Sequence, residues 1–204
     1  MERHLVWPEL LNARDLGGLG AASGEQTAWR QVVRADNLNK LAPAGVTALV
    51  AYGIRTVIDL RDPRELAKFP NPLATVPPAS AIAAVADASP GGVVIHCHAG
   101  KERTGIVAAL LLSLAGVADE TVAQDWIASD AFLQPLYEEW LANERDPTIR
   151  AKRAEGFVTH AEHIADVLTY VRRSHGSLAE YLLAGGLTAD QLDLARRLLV
   201  SSGG

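Results

Sequence analysis

At 204 residues the chain is long enough to bury one sizeable core, and 49% apolar beside 21% charged residues is the balance of a globular protein. A net charge of −5 argues against a general nucleic-acid binder, and a single cysteine rules out a disulfide within the chain. The start Met1-Glu2-Arg3-His4 lacks the apolar core of a secretory signal, and the apolar run from Ile106 to Ala115 is too short for a bilayer span of about 20 residues, so a cytoplasmic protein without an integral membrane segment, built as one domain over residues 1–204, is expected.

In chain order, an N-terminal arm rich in glycine and turn signals runs through Gly24, and Trp29 to Arg34 reads as a strand. Ala42 to Tyr52 has helical character, with Pro43 suited to its first turn and Gly53 to its close. Arg55 to Leu60 is a β-branched strand, and Pro63, Arg64 and Glu65 begin a short helix. The prolines at Pro70, Pro72, Pro77 and Pro78 mark a short connection, and Ala79 to Ala88 reads as a helix ended by Pro90-Gly91-Gly92. Val93, Val94 and Ile95 then form a strand running into His96, and Ile106 to Ala115 a buried helix. The second half is mostly helical: Asp119 caps a segment through Asp130, and Phe132 to Asn143 forms another with Leu133, Leu136, Tyr137, Trp140 and Leu141 on one face. That stripe reads as core, or alternatively as Tyr137 and Trp140 covering a site. Helical spacing returns at Ala161, Ile164, Leu168 and Val171, at Ser177 to Leu183, and more loosely at Leu187, Gln191, Leu194 and Leu198. The alternation of strands and helices predicts an α/β fold with a functional site at the carboxyl end of a strand.

The segment from His96 to Gly105 holds the lone Cys97, followed after five positions by Arg103. Placed between a strand and a helix, it forms a loop at a helix N-terminus, where unpaired backbone N–H groups and the macrodipole favour an anion. The same surroundings favour the thiolate form of a cysteine, which is the nucleophile. Arg103 can grip two oxygens of a phosphoryl group in its planar fork. The N–H groups from His98 through Ala99, Gly100 and Lys101 to Arg103 line up as further donors, Gly100 lets the backbone approach the oxyanion, and Thr104 can donate its hydroxyl to the sulfur. His96 is read as ordering the loop. A zinc site at His96-Cys97-His98 is not expected, because no second Cys/His cluster stands at a usual spacing, and no cofactor is called for.

His96, Cys97, Gly100, Lys101, Arg103, Thr104 and Gly105 resemble the loop of the Cys-x5-Arg protein tyrosine phosphatases, in particular a bacterial branch of dual- and triple-specificity members with His-Cys-x-x-Gly-Lys-Asp-Arg-Thr-Gly. Asn12-Ala13-Arg14-Asp15-Leu16-Gly17-Gly18 is similar to that branch's Asn-x-Arg-Asp-Leu-Gly-Gly, and Asp59-Leu60-Arg61 to its Asp-Leu-Arg strand end. The resemblance implies the phosphatase fold, a mostly parallel central sheet flanked by helices with a helical C-terminal half. It also implies a phosphomonoester hydrolase that works through a cysteinyl-phosphate. Phosphorylated proteins are the implied substrates, with phosphoinositides added where Lys101 meets a second phosphate; a solvated surface lysine is the plainer reading of that residue.

Glu102 stands where the branch has aspartate, which makes it the first candidate for the general acid. Asp59 is the second, ahead of Asp62 or Asp87 carried on a moving segment. Arg14 and Asp15 are expected to pair and to brace the loop from beneath. The connection from Arg61 to His96 is shorter than in the branch. Two alternatives stay open: a pseudophosphatase that binds phosphate without turnover, and a rhodanese-like sulfurtransferase.

Overall fold

The computed structural model describes residues 1–68 and 81–200. Four strands, β1 (Arg14–Asp15), β2 (Val32–Ala35), β3 (Ile54–Asp59) and β4 (Gly92–His96), lie in the order β1-β2-β4-β3. β1 runs antiparallel to β2, and the other pairs are parallel. Neighbouring side chains of a strand point to opposite faces. Here both faces are apolar: Val32, Val93 and Ile95 enter one core, Val33 and Val94 the other.

Each face is covered accordingly. Leu49 of α1 (Pro43–Tyr52) packs with Leu5, Trp7 and Leu10 over one side. The other side takes α3 (Ala81–Ala86) and α4 (Glu102–Leu114), whose Ala108, Leu111 and Leu112 are almost wholly enclosed. The mixed α/β class with a mostly parallel sheet is as expected. Residues 69–80, with the proline marks and the first two positions of the expected 79–88 helix, lie outside the described residues.

Three expectations are corrected. The two helices expected from 119 to 143 are one, α5 (Asp119–Asn143), with Pro135 inside it, because the cap-forming side chains near Ala131 are engaged elsewhere, Ser129 by Arg14 and Arg34 and Asp130 by Thr159 and Lys101. Helix α6 (Pro147–Phe157) was not expected, since it buries no residue and so shows no apolar period. Its start is nevertheless written locally: the Asp146 carboxylate accepts from Thr148 and Ile149 N–H at 2.8 and 3.1 Å, and Pro147 fills the first turn. After α2 (Pro63–Lys68), α7 (Ala161–His175) and α8 (Leu178–Ala184), the last helix α9 (Ala189–Leu199) buries Leu192, Ala195 and Leu199, while Leu194 is exposed. Ile164, Leu168 and Val171 of α7 are buried as their spacing predicts. Among the described residues no helix is long and apolar enough to cross a membrane.

Ala35, His96 and Asp59 stand in register, so β2, β4 and β3 end on one line. The Cys97 loop leaves from the middle strand of the three, where parallel sheets commonly place ligands.

Candidate active site

Lys101 is the residue before α4, so Glu102, Arg103 and Thr104 form that helix's first turn, ahead of the apolar run that marked it in the sequence. The loop's carbonyls are all tied back. Leu60 N–H donates to His96 O at 2.8 Å, Asn37 N–H to His98 O at 3.0 Å, and Asn12 Nδ2 to Ala99 O at 3.0 Å and Gly100 O at 3.2 Å. Arg34 Nη2 donates to Gly100 O at 2.8 Å, and His96 Nδ1 lies 3.2 Å from Cys97 O. No N–H of residues 98–101 has a partner among the described residues. A peptide whose oxygen is held outward turns its N–H the other way, and that is the cradle an oxyanion needs. Gly100 (φ +68°) makes this possible: a Cβ there would lie 2.4 Å from Ala35 O. Gly105 serves packing, since a Cβ would meet the Trp126 ring at 2.6 Å.

Behind the loop, Asp125 of α5 gathers three guanidiniums: Arg34 Nη1 and Arg3 Nη2, each at 2.5 Å, and Arg14 Nε at 3.5 Å. Arg14 also donates to Asn12 Oδ1 and to Asp125 O, and both Arg14 and Arg34 reach Ser129 Oγ. Arg14 thus connects to the loop through Asn12. Its partner is corrected: it pairs with Asp125, not Asp15. Asp15 accepts instead from Gly17 N–H, Arg30 N–H and Tyr52 Oη at 2.7, 2.9 and 2.5 Å, and secures the N-terminal arm and not the anion loop.

Burial alone would raise the Asp125 carboxyl, but Arg34, Arg14 and Arg3 outweigh it and hold the group well below the usual carboxylate range. Desolvation, with Arg34 beside it, lowers Arg14 to about 9. Asp125→Ala leaves these cations without their counter-ion, and urea unfolding is expected to show a loss of ~3–5 kcal/mol. Because the folded carboxyl titrates lower than the unfolded one, its stabilisation is complete above the unfolded value of about 3.9 and disappears as pH falls through the folded value. The gap between wild type and variant should therefore narrow in acid below that point.

Asp59 is corrected as a candidate acid. It is fully buried, gripped by Arg61 Nη2 at 2.7 Å and Nε at 3.0 Å, and lies 3.3 Å from His96 Nε2. Burial pushes its carboxyl up, but the hydrogen bonds from His96 and Arg61 win and keep it well below the ordinary range. It supports His96 from beneath and does not line the cleft. His96 lies between Asp59 Oδ2, 3.3 Å from its Nε2, and Cys97 O, 3.2 Å from its Nδ1.

The cleft itself has a volume of about 340 Å³, with Cys97, His98, Ala99, Glu102 and Arg103 on one side and Glu65, Tyr137, Trp140 and Phe157 around them. Arg103 is fixed by Glu65: Nη1 lies 2.5 Å from Oε2 and Nη2 3.0 Å from Oε1, while Nη1 also donates to Leu60 O at 3.2 Å. The Nε–Nη2 edge keeps donors without a partner among the described residues. The Arg103 hydrogen bond lowers Glu65 to about 2, and Arg103 is raised by Glu65, against burial, and by the charge of Cys97. Glu102 is mostly exposed at the cleft rim, with Oε1 3.9 Å from Lys101 Nζ. The Thr104 hydroxyl is buried and has no partner among the described residues.

Lys101 is corrected on its plainer reading. It is buried, its Nζ donates to Phe157 O at 2.6 Å, and it lies 3.2 Å from Asp130 Oδ1 and 5.3 Å from the Tyr137 ring centroid. The residue lines the cleft, and its ammonium does not sit in solvent. Asp62 caps α2 through Arg64 and Glu65 N–H, Asp87 accepts from Gln191, and neither lines the cleft.

Arg34, Asp125, Glu65 and Phe157 were not singled out in the sequence. Arg34 carries a signal, a charge directly after Val32 and Val33 in a strand, and Asp125 a weaker one, a carboxylate three residues after Val122 on the same helical face. Phe157 has none.

The model of the Tyrosine phosphatase family matches residues 5–82 and 74–201. Over 120 residues the chain is 28% identical to the triple specificity protein phosphatase PtpB of Mycobacterium tuberculosis, covering 53% of this chain and 44% of that protein. Over 174 residues it is 26% identical to a putative tyrosine-protein phosphatase of Cupriavidus necator, covering 63% and 64%. A tyrosine-protein phosphatase of Nostoc commune is 48% identical over 44 residues, 22% of this chain and 15% of that one. The matches thus span less than two thirds of these relatives' own length. The family model covers most of the chain, with Cys97, Arg103 and the tied-back loop inside its limits, and the chain belongs to the tyrosine phosphatase family.

Proposed function

We propose that this chain hydrolyses phosphate monoesters on proteins, phosphotyrosine first among them, through a cysteinyl-phosphate at Cys97. The observation that carries the reading is the loop whose carbonyls are held outward while Cys97 and Arg103 share one cleft. In the first step the Cys97 thiolate attacks phosphorus, the P–O bond to the leaving group breaks, and Glu102 gives that oxygen its proton. In the second, Glu102 as carboxylate takes a proton from water, the hydroxide attacks phosphorus, and the P–S bond breaks, with the Thr104 hydroxyl available to the departing sulfur. Arg103 and the N–H groups of 98–103 meet the charge that builds on the equatorial oxygens.

Membership of the family favours this over a sulfurtransferase. Phosphate release from phosphotyrosine peptides is the test, with phosphoserine peptides and phosphoinositides alongside. Release by the wild type and none by Cys97→Ser is expected, together with a phosphorylated Cys97 after rapid quenching. Wild-type binding of phosphopeptides without release would make the chain a phosphate-binding module instead.

A further inference from the structure

We propose that Arg34 is a positioning residue for the anion loop: from strand β2 it holds and polarises the Gly100 peptide, so that the Lys101 N–H is presented to a bound phosphoryl group. The proposal rests on the phosphatase reading above in so far as that reading places an oxyanion on this loop.

Val33 and Ala35 point into the core on the α1 side, so Arg34 between them points to the other face, where the first turn of α4 lies. The side chain is wholly buried. Its Nη1 meets Asp125 Oδ2 at 2.5 Å, and its Nη2 donates to Gly100 O at 2.8 Å and lies 3.4 Å from Lys101 O and 3.3 Å from Ser129 Oγ. Gly105 leaves room for this, since a Cβ there would come within 3.2 Å of Nη2. The Arg34 Nε has no partner among the described residues, and a buried donor left unpaired is costly. The guanidinium is thus placed for its Nη contacts and not for the satisfaction of every donor it carries.

A cation on a carbonyl oxygen draws charge from that peptide and makes the N–H at its other end a stronger donor. The Gly100 carbonyl and the Lys101 N–H belong to one peptide, and that N–H has no partner among the described residues. Charge points the same way. Arg3, Arg14 and Arg34 share the one carboxylate of Asp125, so the cluster stays positive, and Arg34 is its member on the loop backbone, whereas Arg14 connects through Asn12. The same excess separates this role from folding, because Asp125 keeps two cations when Arg34 is removed.

The measurements are vanadate affinity by calorimetry and kcat and KM on aryl phosphates of graded leaving-group acidity, with melting temperatures alongside. Arg3→Met is the control, since it takes an equivalent partner from Asp125 and its printed contacts run to Asp125 and Asp15 O, not to the loop. Arg34→Met should bind vanadate about tenfold more weakly and lower kcat about tenfold, a part of the 10²–10³-fold that goes with deleting such a donor outright. Good and poor leaving groups should slow alike, because the equatorial oxygens are affected and not the departing one. Arg3→Met should stay within about twofold of the wild type in both vanadate affinity and kcat. Arg34→Lys is the second variant, should methionine prevent folding: it keeps a cation near Asp125 without the fork that also reaches Gly100 O, and is expected to lose about threefold in vanadate affinity. Wild-type vanadate affinity in either Arg34 variant overturns the proposal, and so does an equal loss in Arg34→Met and Arg3→Met, which would make Arg34 part of the scaffold only. A wild type that binds vanadate without turnover overturns the phosphatase reading alone, and the vanadate affinities then decide this one. A wild type that does neither overturns both.

Discussion

Arg103→Lys lowers kcat by about 10²–10³-fold, the range found when one donor to a developing oxyanion is removed. The reason lies in how the guanidinium is shared. Glu65 and Leu60 O take up Nη1 and one side of Nη2, and the Nε–Nη2 edge is left to meet two phosphoryl oxygens together. A lysine ammonium keeps the charge but is a point and not a fork, so it can satisfy Glu65 or the substrate but cannot present both edges. Steady-state kinetics with an aryl phosphate, together with vanadate inhibition, check this. A lysine variant with near wild-type kcat would show that charge alone suffices and that the edge geometry is irrelevant.

Glu102→Gln is expected to slow phosphoserine hydrolysis by about 10²-fold or more, and to slow aryl phosphates with acidic leaving groups far less, because a poor leaving group depends on the proton it receives. Among the described residues the cleft is lined by two carboxylates, Glu65 and Glu102. Glu65, brought down to about 2 by Arg103, carries no proton near neutrality. Asp59 is sealed beneath the loop, and Asp130 is occupied by Thr159 N–H and Oγ1 at 2.6 and 2.5 Å as well as by Lys101. Glu102 is what remains, at the first turn of α4 with a side chain 63% exposed. Equal slowing of good and poor leaving groups would remove it from the role.

The parts of this site that were legible in the sequence are those whose chemistry is local. Cys97, Arg103, Gly100 and the helix that follows lie within one short stretch, and strand, turn and helix signals place them without reference to the rest of the chain. Pro43 and Gly53 bounded α1 for the same reason. What was not legible depends on contacts between distant positions. Arg34 and Asp125 are 91 positions apart, and Arg103 and Glu65 are 38 apart, and nothing in either neighbourhood names the other. Asp59 and Lys101 were misread because the burial of a charged side chain is not written in its motif; one proves to be a foundation and the other a strut. Helix α6 escaped because apolar period reports burial, and it has none.

The unbroken course of α5 has a consequence for how such an enzyme can change. From Asp125 to Trp140 the helix climbs about 22 Å at 1.5 Å per residue, one end anchoring the rear of the oxyanion cradle and the other carrying the indole at its mouth. The support behind the anion loop and one wall of the cleft are therefore carried on a single helix. An inserted or deleted residue between those two points would turn one end by about 100° relative to the other. The length of the helix in that interval, and the buried Asp125, Ser129, Leu133 and Tyr137 along it, therefore fix where the two ends stand.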